Sequence, residues 1–287
     1  MGTEICFEDR DVICMEIITR LLQFFTGAPA GEQIQGGIDI WNATVESVFV
    51  LLGISPVDFE GGAAWDYVER MYPYIAIIAG SLLSVVMLYR MCKETMDIRA
   101  EMRSDAVIKM FCIFIISEAV VLNAMTITKA LFRIAGGCIS LLQVGYEPLT
   151  ASVALQDTNL GLLEGLVALL VCLAFYILSF LMIYTVYFRF FKIFLIAPLS
   201  SVACAFLAGG QEVSRVGFAY LKALVTYTFE IVIIALAINI GNRLGSVGSS
   251  IYVDNIIWQM LCPLLNVGLI VGAAKGAERI LRRTFAL

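Results

Sequence analysis

The chain alternates long apolar runs with short polar or charged segments. Five of the runs are favoured as membrane-crossing helices, at residues 72 or 73 to 89, about 107–128, 165–188, 223–242 and 256–274. An apolar helix of about 20 residues crosses about 30 Å of hydrocarbon, and a soluble core helix rarely stays uncharged for that length. The pattern therefore predicts an all-α, polytopic transmembrane helix bundle over residues 72–287.

A further apolar run, residues 193–210, decides how often the chain crosses. It is long enough to span, but Pro198 lies near its start and Gly209 and Gly210 close it. If it crosses, the basic tail at residues 275–287 falls outside, against the positive-inside rule. If it re-enters or stays buried in the bundle, the tail falls inside, so five crossings fit better and six are the alternative. A helix broken at Pro198 and an ordinary kinked span fit the residues equally well.

Lysine and arginine in the short loops predict the orientation of the chain. The loop at residues 90–109 carries more basic residues than any other loop, which places it in the cytoplasm. Its basic residues are Arg90, Lys93, Arg99, Arg103 and Lys109. Residues 138–163 contain no lysine or arginine and are predicted to lie outside. With five crossings the N-terminus is outside and the C-terminus is inside.

The N-terminal region, residues 1–71, differs from the rest in charge and pattern. Residues 1–72 hold twelve acidic and three basic side chains, and the rest of the chain is slightly basic. Helical patterning at residues 12–25 and 38–53 predicts two short amphipathic helices in an extracytoplasmic region. The second lies along the membrane surface or is an ordinary packing helix, and the residues favour neither. No basic n-region or cleavage site is present, so no signal peptide is expected.

Three polar side chains fall within the predicted spans and are candidates for an intramembrane polar path. They are Glu118 and Asn123 in the second span and Glu230 in the fourth. A central acidic residue costs roughly 2.5–3.5 kcal/mol to insert, so Glu230 should face the bundle interior, an interface or water. It then serves a polar conduit or proton-coupled element, or is a hydrogen-bonded carboxyl that fixes helix packing. The residues alone favour the packing role.

Glycines recur at a four-residue spacing in the fifth span, at Gly268, Gly272 and Gly276. Small residues at this spacing let two helices approach closely. The glycine face is therefore expected to pack against another helix, either within the subunit or across an oligomer.

The composition and motifs exclude several function classes. The chain is 60% hydrophobic and 15% charged, with mean hydropathy +0.90, and it contains no histidine. Histidine-based acid–base chemistry, histidine zinc sites and histidine-dependent triads are thereby excluded. The eight cysteines form no Cys-x-x-Cys pair, and free thiols are favoured for Cys6 and Cys14. No P-loop, dinucleotide fingerprint or nucleic-acid motif occurs, so a non-enzyme without catalytic residues, metal or cofactor is predicted.

One stretch resembles a known family in the order of its motifs. Residues 187–192 (Tyr-Phe-Arg-Phe-Phe-Lys) end the third span, and residues 196–200 (Ile-Ala-Pro-Leu-Ser) follow. A break at Gly209 and Gly210 precedes residues 218–222 (Phe-Ala-Tyr-Leu-Lys). This order resembles the TrbL-type polytopic inner-membrane subunits of type IV secretion and conjugation systems, in the version of Gram-positive conjugative elements. The likeness is best over about residues 165–245.

The resemblance implies a non-enzymatic channel or platform component in a bacterial cytoplasmic membrane. Such a subunit forms a homo-oligomer and works with other membrane subunits and cytoplasmic ATPases, while DNA or protein passes transiently. Pro198, Leu199 and Ser200 match the family's most recognisable run, and Gly209 and Gly210 mark the following turn. The loop at residues 90–109 becomes a candidate docking surface for ATPases. The loop at residues 138–163 becomes a candidate contact for outer components or cargo.

Two other classes stay open beside this one. A purely structural scaffold would tolerate changes at the intramembrane carboxylates and fail when Gly268, Gly272 or Gly276 is enlarged to Leu. A small-solute transporter or channel would use Glu118 and Glu230 as coupling carboxylates. No internal repeat is evident, which weakens a secondary-transporter interpretation.

Overall fold

The computed structural model describes residues 30–97, 104–143, 145, 146, 148, 149, 162–248 and 256–284. Its α-helices are α1 (Ala30–Gly53), α2 (Ala63–Asp97), α3 (Ser104–Leu122), α4 (Ala124–Gln143), α5 (Leu162–Ile196), α6 (Ser200–Ala205), α7 (Gln211–Gly248) and α8 (Ile256–Thr284). Short 3₁₀ turns occupy Phe59–Gly62, Ala197–Leu199 and Phe206–Ala208. The predicted helix at residues 12–25 lies outside the described residues.

Five helical segments among the described residues are long and apolar enough to cross a membrane. They are Phe59–Lys93, Ala124–Gln143, Leu166–Ala208, Glu212–Gly245 and Leu261–Thr284. Apolar side chains remain exposed along them because lipid, and not water, is the solvent that suits such surfaces. The predicted all-α polytopic class is confirmed.

The second predicted span differs from the structure in its bounds. The helix that covers it bends at Asn123, where α3 ends and α4 begins. The Asn123 side-chain amide donates to the Ala119 carbonyl at 2.8 Å, and this local bond competes with the regular helical ladder. Backbone bonds from Asn123 to Ala119 and from Ile127 to Asn123 nevertheless carry the helix through the bend. Because α4 continues to Gln143, residues 138–143, predicted as the start of a loop, are helical.

The chain divides into two compact units that do not follow the order of the sequence. The first comprises Met1–Gly53, Ile139–Tyr187 and Val232–Ala277, and its described residues begin at residue 30. The second comprises Ile54–Cys138, Phe188–Ile231 and Glu278–Leu287. The predicted boundary at residue 72 concerns membrane topology and stays a prediction.

In the first unit α1 is a packing helix. Trp41, Val45 and Val48 on one of its faces are fully buried, and a Cβ added to Gly37 would lie 3.1 Å from the Phe175 ring. Of the two alternatives left by the sequence, the packing helix is the one observed. Such complete burial of a tryptophan and two valines stabilises the helix through removal of apolar area from water.

A second set of contacts ties the loop after α4 to α1. The Asn42 side chain donates to the Leu149 carbonyl at 3.1 Å and accepts from the Leu149 amide at 3.0 Å. Tyr146 packs against Phe49 with ring centroids 4.8 Å apart. Burial and the charge of Glu46 raise the pKa of Tyr146 to about 12, so this phenol stays protonated at neutral pH.

In the second unit α2 packs antiparallel to the bent α3–α4 helix. The Trp65 ring meets Phe132 edge-on, and the Tyr72 hydroxyl donates to the Val121 carbonyl at 3.3 Å. As α2 advances, its partners fall at lower residue numbers, which is the signature of antiparallel packing. Buried apolar residues from α2 and from residues 193–208 fill the core between these helices.

The apolar run at residues 193–210 continues α5 instead of forming a separate helix. Pro198 lacks the amide needed for the α-helical ladder, so a 3₁₀ turn at Ala197–Leu199 interrupts the helix. The helical path ends at Gly209, whose backbone is extended at φ −66° and ψ 153°. Helix α7 then returns alongside α5, and the Tyr220 hydroxyl donates to the Ile196 carbonyl at 2.9 Å.

Candidate functional site: a buried ionic cluster

Arg189 is the least expected residue of the second unit. It lies on α5 where the third predicted span ends, yet its side chain is only 2% exposed. Its Nε donates to the Tyr227 carbonyl on α7 at 3.2 Å, and its guanidinium lies 5.3 Å from the centre of the Phe190 ring. One terminal nitrogen has no hydrogen-bond partner among the described residues. A buried guanidinium of this kind requires a compensating negative charge.

Glu230 supplies that charge from α7, one turn beyond Tyr227. Its side chain is 3% exposed, and the positive charges of Arg189 and Lys192 act on it. One of its carboxylate oxygens has no hydrogen-bond partner among the residues described. Burial and the two cations therefore oppose each other at this carboxylate.

Lys192 and Glu278 extend the cluster to α8. The Lys192 ammonium lies 2.7 Å from a Glu278 oxygen, and both side chains are about three-quarters buried. Glu278 also pairs with Arg282, one helical turn later, at 3.1 Å. A salt bridge removed from water in this way is strongly destabilising to break, since it leaves an uncompensated charge behind.

Tyr227 on α7 contacts basic residues from both α5 and α8. Its carbonyl accepts from Arg189, and its hydroxyl accepts from Arg282 at 3.3 Å. Its ring lies 5.3 Å from the Lys192 ammonium and 6.0 Å from the Arg282 guanidinium, so both cations face its π-surface. Tyr227 thus contacts three basic residues, Arg189 through its backbone and Lys192 and Arg282 through its side chain.

Three cations and two carboxylates give the ionic cluster, as we call this group, a formal charge of +1. Its charged members are Arg189, Lys192, Glu230, Glu278 and Arg282. The arrangement pins α5, α7 and α8 together within the second unit. It also leaves a buried carboxylate oxygen and a buried guanidinium nitrogen unsatisfied, and such groups are costly unless something uses them.

The predicted intramembrane polar residues do not come together. Glu230 is in the ionic cluster, but Glu118 is exposed on α3 and has no hydrogen bond or ion pair within the described chain. The Asn123 side chain is used locally by the bend after α3. Hydrophobic periodicity does not tell which span faces which, so the pattern alone could not show whether Glu118 and Glu230 lie on one polar path.

The residues of the family-like run occupy the break between α5 and α7. Pro198 lies in the 3₁₀ turn, Leu199 is half exposed, and Ser200 is 2% exposed. The Ser200 hydroxyl lies close to Tyr220, in addition to the bond that this tyrosine makes with Ile196. The Tyr220 hydroxyl thereby supplies a donor to a backbone carbonyl next to the proline break.

Gly209 and Gly210 form the turn that reverses the chain. A Cβ on Gly209 would lie 2.5 Å from the Val213 Cβ, a contact that real side chains do not make. A Cβ on Gly210 would meet no described atom within 4 Å. Of the two glycines, Gly209 is therefore the one whose missing side chain the turn requires.

The predicted docking residues of the charged loop are engaged inside the second unit. An Arg90 nitrogen donates to the Ala208 carbonyl at 3.2 Å, where the helical path before Gly209 ends. Lys93 pairs with Glu212 at the start of α7 at 3.2 Å. Arg99 and Arg103 lie outside the described residues. The two described members thus brace the turn at Gly209 and Gly210.

The predicted glycine face has no neighbour in the described part of the chain. A Cβ at Gly268, Gly272 or Gly276 would meet no described atom within 4 Å. The close approach of α7 and α8 in the first unit uses different positions, because Gly241 lies against Ile270 and Gly245 against Asn266. Of the two predicted uses of the glycine face, packing within the subunit is not what the described residues show.

The described residues offer no cluster of three or more histidine, cysteine, aspartate or glutamate side chains for a metal. The six described cysteines are unpaired, and Cys6 and Cys14 lie outside the described residues. The expectation of a protein without metal or cofactor stays a prediction.

The sequence pattern missed most of the ionic cluster. The pattern marks Arg189 and Lys192 as the end of a span, and it places Glu278 and Arg282 in the basic tail at residues 275–287. A signal was nevertheless present in their spacing. Arg189 and Lys192 are three residues apart, and Glu278 and Arg282 four apart, so each pair shares a helix face.

Comparison with known proteins adds no relative. No protein-family model, curated protein or solved structure matches the chain. The class of the molecule, an all-α polytopic membrane protein, follows from its five long apolar helices.

Proposed function

We propose that the chain is an integral-membrane channel or platform subunit of a type IV secretion machine that carries out conjugative DNA transfer. The observation that carries the proposal is the helix–break–turn–helix arrangement of the stretch that resembles TrbL-type subunits. In the second unit α5 and α7 are antiparallel, with Ile196 opposite Tyr220 and Arg189 opposite Tyr227. The Pro198 break and the Gly209 turn lie between them.

The proposed role is structural and not enzymatic. The subunit forms a homo-oligomer in the bacterial cytoplasmic membrane, other membrane subunits join it, and separate cytoplasmic ATPases supply energy. The unoccupied glycine face of α8 supports an oligomer, because small residues at a four-residue spacing permit close helix approach. Translocated DNA or protein contacts the subunit transiently.

A mating assay in the native host tests the proposal. Deletion of the gene is expected to abolish transfer of DNA between cells without changing growth on any solute, and a plasmid copy should restore transfer. Gly209→Val should fail to restore it because a branched side chain collides with Val213, whereas Gly210→Ala should succeed. Unchanged transfer in the deletion strain overturns the proposal.

Crosslinking in living cells, followed by purification in mild detergent, tests the partners. Recovery of a secretion ATPase and other channel subunits with the tagged chain is the expected result. Recovery of the chain alone, as a small oligomer, would instead direct attention to a transporter or channel.

A small-solute transporter or channel is a second candidate because Glu230 keeps one buried oxygen without a partner. In this role Glu230→Gln abolishes uptake of a solute while the protein still assembles. Glu118→Gln provides the comparison, since Glu118 is exposed and far less constrained. Normal growth on every solute tested after both changes speaks against transport.

A further inference from the structure

A basic cavity of about 320 Å³ lies beside the ionic cluster in the second unit. Arg215, Lys222 and Arg282 contribute three cations to its wall, and no carboxylate lines it. The side chains of Arg215 and Lys222 are exposed and make no ion pair or hydrogen bond with any other part of the chain that the structure describes. Positive charge thus converges on this cavity without protein counter-charge in its lining.

The rest of the wall is apolar or buried. Phe218, Ala219 and Ala223 provide hydrocarbon surface. The Thr226 hydroxyl donates a hydrogen bond to the Lys222 carbonyl at 2.9 Å. Phe218 is 56% exposed, as is usual for a side chain that faces lipid in a membrane helix. The cavity therefore combines three cations with an apolar wall, which suits an amphiphile better than a fully water-soluble anion.

The predicted spans place the cavity at the edge of the hydrocarbon. Lys222 immediately precedes the fourth predicted span, and Thr226 lies inside it. Arg215 and Arg282 lie about 12 Å beyond the ends of the fourth and fifth predicted spans, and long basic side chains reach back toward the interface. The cavity and the basic tail share a side of the membrane, the predicted cytoplasmic side. Basic pockets between membrane helices on that side commonly bind anionic headgroups.

We propose that this cavity binds the phosphate-bearing headgroup of an anionic phospholipid. Arg215, Lys222 and Arg282 contact the phosphate, and Phe218, Ala219 and Ala223 contact the glycerol and the first part of the acyl chains. The proposal goes beyond the secretion role and does not depend on it. A free phosphate ester shares the ionic part of this chemistry, and only a lipid also uses the apolar wall.

The test uses the full-length purified chain in mild detergent and native mass spectrometry with added lipid. Phosphatidylglycerol and cardiolipin are expected to remain bound, whereas phosphatidylcholine is lost. The double variant Arg215→Gln/Lys222→Gln should bind phosphatidylglycerol roughly 25-fold more weakly. Its matched control is Arg279→Gln/Arg283→Gln, which removes two exposed charges from α8 outside the cavity and should leave binding near the wild-type value.

A second variant keeps the test independent of charge. Ala219→Trp fills the apolar side of the cavity and is expected to weaken lipid binding while every cation remains. Helix content measured by circular dichroism and elution on size exclusion identify any variant that fails to fold. If Arg215→Gln/Lys222→Gln fails this check, Ala219→Trp carries the test.

Four results overturn the proposal. The first is no preference for anionic over zwitterionic lipid in the wild-type chain. The second is an equal loss of binding in the control double variant, which would indicate general surface attraction. The third is complete competition by inorganic phosphate at a matched concentration, together with normal binding by Ala219→Trp. The fourth is a single-stranded oligonucleotide that displaces the lipid and depends on the same two basic residues.

Discussion

At the scale of single residues, Arg189 and Tyr227 distinguish this protein from a simple bundle of apolar helices. A fully buried arginine has its backbone acceptor on α7, its aromatic contact on Phe190 and its counter-charge on Glu230. Buried ion pairs add little net stability compared with apolar packing, but removing one partner is expensive. The ionic cluster therefore specifies which helix faces meet, and its single members are sensitive to substitution.

Arg189→Met is expected to destabilise the protein by about 3 kcal/mol because it removes one of the two cations, Lys192 and Arg189, that act on the buried Glu230 carboxylate. Glu230→Gln should also cost about 3 kcal/mol, because it leaves the buried Arg189 guanidinium without its negative counter-charge. The double variant should lose less than the sum of the two changes, since each removes the other's unpaired charge. Thermal unfolding of the full chain in mild detergent measures all three. Arg133→Met, at an exposed site on α4, is the control. Strict additivity would show that the two residues do not interact.

Tyr227 offers a separate test because its hydroxyl and its ring make different contacts. Tyr227→Phe removes only the bond with the partly exposed Arg282 and should cost no more than about 1 kcal/mol. Tyr227→Ala also removes the ring that faces Lys192 and Arg282, and about 3 kcal/mol is expected. Thermal unfolding of both variants, without chemical denaturant, compares the two losses of stability. Equal losses would mean that the ring contributes nothing.

At the scale of helices, breaks and close approaches decide the path of the chain. Pro198 interrupts the long helix that begins with α5, and Gly209 ends it, so α7 can return along the same helix. Asn123 bends the helix formed by α3 and α4 without breaking its ladder. In the first unit, Gly241 lets α8 approach α7 through Ile270. Pro198 and Asn123 thus act on the backbone of their own helix, whereas Gly241 matters because another helix comes close.

Gly241→Ala and Gly268→Ala separate a glycine that packs from one that does not. The first places a methyl group against Ile270 and should destabilise the chain by about 1–3 kcal/mol. The second meets no described atom and should be neutral or stabilising by up to about 1 kcal/mol, since alanine favours a helix more than glycine does. Unfolding midpoints in mild detergent give both values. A large loss from Gly268→Ala would mean that a helix packs on this face, either from the same chain or from a second copy in the oligomer.

At the scale of the whole molecule, the chain is a multi-pass membrane protein, and its orientation stays a prediction from the positions of its basic residues. Five helical segments among the described residues can cross a membrane, which agrees with the preferred count of five crossings. The third of these, Leu166–Ala208, includes the apolar run after α5, and the choice between five and six crossings stays a prediction. From the sequence, the positive-inside rule predicts that the C-terminal basic residues lie in the cytoplasm.

Labelling of single cysteines with a membrane-impermeant maleimide tests this orientation. On a background without the other native cysteines, Pro148→Cys should react in intact cells because residue 148 is exposed in the predicted outside loop. Native Cys92, exposed near the end of α2, and Arg283→Cys should react only after permeabilisation. Reaction of Arg283→Cys in intact cells would favour six crossings.

The sequence by itself determined the class of the molecule and the approximate position of most spans, because the length of an uncharged run and the thickness of a bilayer are directly comparable. It also located the helix breaks at Pro198 and Gly209, since proline and glycine act on the backbone locally. The bend at Asn123 could not be predicted in the same way, because an asparagine caps a helix, kinks it or lies on its surface according to its surroundings.

Only the tertiary structure decided which side chains meet. Lys192 and Glu278 are 86 positions apart, and Asn42 and Leu149 are 107 apart. Helical periodicity gives the face on which each residue lies but not the helix which that face meets. Arg189 therefore looked like the polar end of a span, and its burial beside Tyr227 and Glu230 depends on how α5 and α7 pack after the turn at Gly209.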